Sequence, residues 1–166
     1  MIQQCKDNLA EIKILLQHLK QESYAQSIEL FSGSSIGQHV RHVLEFYLCL
    51  LEGIPIQKIN YDLRKRSLEL ETNIPFAIET IDAICNQLET IKDGRINLEG
   101  IYSSPEGNSE LIQSSLYREL AFCFEHSIHH QAFIKIGLRE LNLINLVSAN
   151  FGVNPTTIKH KEKCAQ

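Results

Sequence analysis

The sequence predicts a mainly all-α fold: a four-helix bundle with a long crossover connection and a short β-hairpin at about 95–115. Three observations predict it. Four long segments repeat apolar residues at helical spacing. Their apolar faces are broad, which implies burial on more than one side. Between Arg95 and Ser115 the period changes to alternation.

The first segment runs from about Ile2 to Lys20, with Leu9, Ile12, Leu15, Leu16 and Leu19 separated by Lys and Glu. A short piece from Tyr24 to Leu30 reads as a separate turn of helix. Ser32-Gly33-Ser34-Ser35 then breaks the pattern and offers an N-cap. The second segment spans about Ser35 to Glu52 and is apolar over most of its circumference. Gly53 suits its stop, with Pro55 just beyond. Residues 54–73 are irregular and charged.

The third segment begins near Pro75, a residue at home in a first turn, and ends at Asp93-Gly94. Ile96, Leu98 and Tyr102 then alternate with polar residues, and Ser103 to Asn108 reads as a turn. Leu111 and Gln113 return from it. The fourth segment, about Leu116 to Leu141, is rich in Leu, Phe and Ile. One more short helix is expected near Pro155.

With 166 residues and no linker or repeat, the chain reads as a single domain, 1–166, with 159–166 as a flexible tail. A formal charge of −4 argues against nucleic acid as a partner, because phosphate binding needs a basic footprint. No apolar run reaches the length of a membrane span. The N-terminus lacks the continuous apolar stretch of a signal peptide, so a cytoplasmic location is expected. The five cysteines show no metal or redox spacing. Cys49, Cys85 and Cys123 fall within apolar helical patterns and read as small buried hydrophobes. Tyr47 reads as a core residue whose hydroxyl reaches a polar partner.

The chemistry lies in the histidines. His126 and His130 are four apart in Glu125-His126-Ser127-Ile128-His129-His130, within the fourth segment. That spacing puts two imidazoles on one helix face, about 5–6 Å apart at Cβ. Unpaired imidazoles would be costly to bury among Phe, Ile and Leu. A third histidine from a facing helix would hold an ion with one coordination position open, the arrangement of a catalytic site. The second segment supplies two candidates, His39 and His42. By angle, His39 lies nearer the Ile36/Val43 stripe. His129 points about 100° away from His130 and reads as a supporting or surface residue. His18 and His160 read as solvent-facing.

Two blocks carry a family resemblance. Ser35-Ile36-Gly37-Gln38-His39-Val40-Arg41-His42-Val43-Leu44-Glu45 resembles the second helix of the DinB/YfiT-like superfamily of metalloenzymes. The block from Glu125 to His130 resembles its final long helix, and the order and separation of the blocks also match. The resemblance implies a four-helix bundle, often dimeric, that holds a divalent metal, commonly nickel or zinc. The implied ligands are His42, His126 and His130. Glu45 takes the place of a frequent family acid, expected to orient a ligand or move protons. His39 then becomes a supporting residue.

The chain departs from the common pattern at Ser34, where many members have Trp. It departs again at His129-His130-Gln131-Ala132-Phe133, where many continue His-His-Arg-Gly-Gln. These flanking groups shape the pocket, so the resemblance says less about substrate than about metal. Members often carry a DNA-damage-inducible, stress-response label, which describes regulation and implies no DNA binding.

The implied activity is metal-dependent, acts on a small molecule, and is foremost a detoxification-type thiol S-transferase using a low-molecular-weight thiol. Alternatives are a metal-dependent hydrolase and a non-catalytic, stress-associated metal-binding bundle. Arg64 and Arg66 are expected to hold an anionic carboxylate of such a thiol cofactor, although a solvated loop is the plainer reading of them. A homodimer through the helix faces is also expected.

Overall fold

The computed structural model describes residues 1–103 and 107–164. Four long helices form the bundle: α1 (Ile2–His18), α3 (Ile36–Gly53), α5 (Ile74–Leu88) and α6 (Leu116–Glu140). Short helices α2 (Gln21–Ala25) and α4 (Leu68–Thr72) lie between them, and α7 (Pro155–Cys164) follows. Helix α1 packs on α5 and α6, and α3 packs on the same two, which sets α1 and α3 across the bundle from each other. Among the described residues, no helix is long and apolar enough to cross a membrane.

Three of the four long helices start where a side chain satisfies a free N–H group, whereas α1 has no side-chain cap. Ser35 closes a capping box with Gln38 at the head of α3. The Asn73 side chain accepts from the Phe76 N–H at 3.2 Å, with Pro75 in the first turn of α5. Ser115 accepts from the Arg118 N–H at 3.3 Å and starts α6. The core between the helices is aliphatic, with Leu9, Ile12, Leu16, Leu44, Leu50, Ile81, Ile84, Leu120 and Ile134 almost fully buried.

The expected hairpin is present. Strand β2 (Arg95–Gly100) pairs antiparallel with β3 (Glu110–Ser115), from Arg95 opposite Ser115 to Gly100 opposite Glu110. Of its expected turn, residues 104–106 lie outside the described residues. Residues 54–73 are more ordered than their composition suggests. They hold strand β1 (Lys58–Ile59), parallel to β2, then a 3₁₀ turn at Tyr61–Leu63 and α4. Two glycines permit this. A Cβ at Gly53 would meet the backbone carbonyl of Lys58, and one at Gly37 would meet that of Glu71. The connection is therefore packed backbone against helix, a tertiary effect that periodicity does not report.

Other expectations need correction. The piece after α1 splits into α2 and a 3₁₀ turn at Glu29–Phe31. Of the expected tail 159–166, residues 159–164 continue α7, and residues 165–166 lie outside the described residues. Asn154 accepts from the Thr156 N–H at its start, and Lys161 and Lys163 suit its C-terminal dipole. Cys123 is buried, whereas Cys49 and Cys85 are only half-buried and Cys5 is fully buried. Tyr47 is a core residue, and its buried hydroxyl lies against the Cys5 thiol.

Candidate metal centre

Helices α3 and α6 run side by side, and this seam carries the histidines. His42 from α3 and His126 and His130 from α6 each offer a ring nitrogen, and these three atoms lie within 4.8 Å of one another. The Nε2 atoms of His42 and His126 are 3.0 Å apart. All three rings are half-buried. Phe46 and Phe122 pack on His126, with centroids 4.5 and 5.5 Å away, and Phe46 meets the edge of His42 at 4.9 Å. These aromatic walls hold the rings in place and take water away from them.

His39 does not join the three. Its Nδ1 lies 2.9 Å from Nδ1 of His130, so one ring donates to the other. Phe133 stacks on His39 and Phe31 meets it edge-on. A ring that engages Nδ1 of His130 leaves that histidine's Nε2 for the cluster. His39 thus orients a neighbour, as the partners of metal-binding histidines usually do. His129 is exposed and packs edge-on against Phe133. His18 and His160 are exposed.

Burial keeps the trio neutral. Desolvation, helped by the Arg64 guanidinium, lowers His42 to about 4. Desolvation and the neighbouring His129 lower His126 to about 4. His130 goes down to about 2, from desolvation and then the other histidines around it. Three neutral, converging imidazoles are what a divalent ion requires, since a protonated ring cannot ligate. The donor set therefore fits a metal.

Beside the trio lies a buried charged cluster. Glu45 is 4% exposed, and its Oε1 accepts from the Ser67 N–H at 2.7 Å. Its Oε2 sits 3.7 Å from Nε of Arg41 and 3.8 Å from Nε of Arg64, too far to count as hydrogen-bonded. Burial pushes the Glu45 carboxyl up, against the Ser67 N–H and the two guanidiniums, which favour its charged form. Arg41 also pairs with Glu71 of α4 at 2.5 Å.

Arg64 donates through Nη1 to the Tyr61 carbonyl at 2.9 Å, and its Nη2 lies 3.2 Å from Nδ1 of His42. Its guanidinium covers the Phe46 ring at 5.0 Å. Arg66 is exposed and makes no ion pair among the described residues, whereas Arg64 is half-buried. A cleft of about 390 Å³ is lined by Arg64 together with Glu45, Cys49, Asn60, Leu63 and Ser67. Arg64 touches both the cleft and His42 of the histidine cluster.

Sequence reasoning missed the contact between Arg64 and His42, the placement of Glu71 and the Ser67 N–H on Glu45. The first and third depend on how residues 54–73 fold back. The Arg41/Glu45 pair, four apart on α3, could have been read directly.

No family model matches this sequence, and no solved structure matches it. A curated relative, FK506-binding protein 5 of Rhizopus delemar, is 34% identical to it over 109 residues. That alignment takes in 63% of this chain but only 28% of the relative, so the chain spans little more than a quarter of that protein's length.

Proposed function

We propose that the chain is a metal-dependent enzyme of the DinB/YfiT-like kind, with His42, His126 and His130 holding a divalent ion, nickel or zinc. The observation that carries this is the convergence of three neutral, half-buried imidazoles from two facing helices. Three nitrogen donors suit borderline ions of this class. The family assignment rests on the two histidine blocks and on the bundle that brings them together. The name of the relative from Rhizopus delemar describes a protein of which a small part aligns, and no activity is carried over from it.

When bound, such an ion lowers the pKa of a thiol or water and so supplies a nucleophile near neutral pH. The chain's own residues do the rest. Phe46 and Phe122 limit water around the rings. His39 fixes the orientation of His130. Glu45, whose burial beside the cleft favours the protonated carboxyl, would take up or return a proton. The proposed reaction is transfer of a low-molecular-weight thiol to an electrophilic small molecule.

The test is thiol consumption by metal-loaded protein in the presence of a model electrophile. Consumption should exceed that of His126→Ala by at least about 100-fold, the scale of losing a group central to the reaction. Equal rates would rule the transferase out. If zinc then raised the melting temperature strongly in wild type alone, the ion would be a structural staple instead.

A further inference from the structure

The three histidines are not equally ready for a metal. An imidazole that ligates through Nε2 and stays neutral must carry its proton on Nδ1. His130 can meet this condition by donating from Nδ1 to His39. His126 can meet it too, because its Nε2 is free to accept from His42. His42 cannot. Its Nδ1 faces Nη2 of Arg64 at 3.2 Å, and a guanidinium has donors only. Nδ1 must therefore accept, the proton must sit on Nε2, and that Nε2–H points at His126.

We propose that Arg64 is a lock on the metal site: in the metal-free protein it holds His42 in the tautomer that cannot ligate, and ion binding expels it. The inference rests on the metal assignment above and adds its regulation. Two forces oppose the ion at once. The proton must leave Nε2 of His42, which breaks the hydrogen bond from Arg64. A fixed positive charge also stands against a ligand nitrogen.

The structure provides a place for the displaced guanidinium. Nε of Arg64 and Oε2 of Glu45 are both buried and lack hydrogen-bond partners among the described residues, although they are 3.8 Å apart. A modest turn of the side chain toward Glu45 would close that gap and point the guanidinium into the cleft it already lines.

The sign of one affinity change separates this lock from an ordinary supporting role. Zinc affinity should be measured by competition with a chelator in wild type, Arg64→Met and His126→Ala. A lock predicts that Arg64→Met binds zinc about tenfold tighter than wild type, the scale of removing one charge-assisted hydrogen bond. Equal or weaker binding by Arg64→Met, with His126→Ala still defective, overturns the lock and leaves the metal site intact. Failure of wild type and Arg64→Met alike, at the level of His126→Ala, overturns both.

A second measurement needs no variant. Nitrogen-15 correlation spectra of the histidine rings should place the His42 proton on Nε2 in the metal-free protein and on Nδ1 after zinc is added. A proton already on Nδ1 without zinc would overturn the lock.

Discussion

The α1–α5 seam and the α3–α6 seam are made from similar amphipathic helices but are filled in opposite ways. Between α1 and α5 the centre is aliphatic, with Ile12, Leu16, Ile81 and Ile84 at most 1% exposed. Its charges stay at the solvent rim, in the pairs Lys6 with Glu89 and Lys13 with Asp82. Between α3 and α6 the imidazoles occupy the seam, and the charged groups Arg41, Glu45 and Arg64 are pulled inward beside them. Rim pairs are screened by solvent and contribute little. Inward charges must first overcome desolvation, and their net contribution is often near zero. The first seam holds the fold; the second gives up stability to bring donors and acceptors together.

That contrast can be broken in either seam. The largest effect should come from replacing both His126 and His130 with Ala. Zinc affinity should fall by more than about 1,000-fold, since two of three ligands are lost, while the metal-free melting temperature stays level or rises. A large drop in metal-free stability would mean that the trio serves the fold. Next, Ile12→Ala in the other seam should cost about 2–5 kcal/mol in denaturant unfolding and leave zinc affinity unchanged. A change in affinity would show that the seams are coupled.

Acid should act mainly on the histidine seam. His42 and His126 titrate near 4 in the folded chain and His130 near 2, all below the ordinary value of 6.5. As pH falls below about 6.5, the unfolded chain binds more protons than the folded one, so the folded state loses stability. The loss should continue until pH reaches the folded values. Metal-free wild type should thus lose more melting temperature between about pH 7 and pH 5 than the double histidine variant does. Parallel pH profiles would show that the rings are not held neutral by the fold. The smallest effect should be Ser35→Ala, which removes the α3 cap for about 1 kcal/mol by denaturant unfolding.

Legibility in the sequence followed the range of the forces involved. Helices α1, α3, α5 and α6 and the hairpin were readable because their residue patterns are regular, and α3, α5 and α6 also carry local caps. Strand β1 and α4 were not, because what orders them is close approach of backbone to Gly53 and Gly37. The helical wheel favoured His39 over His42. It measures distance from the aliphatic stripe, whereas the cluster lies toward α6, where His39 engages the back of His130. Arg64 stood in a charged stretch that looked solvated, and only the folded connection brings it against His42.

The central claim is that His42, His126 and His130 share one ion. Elemental analysis of protein purified without a histidine tag tests it most directly. The account predicts about one nickel or zinc ion per chain in wild type, the occupancy of a single three-histidine site, and none in the double His126→Ala, His130→Ala variant. Wild type without metal after incubation with either ion, or a variant that retains the same amount, would contradict it.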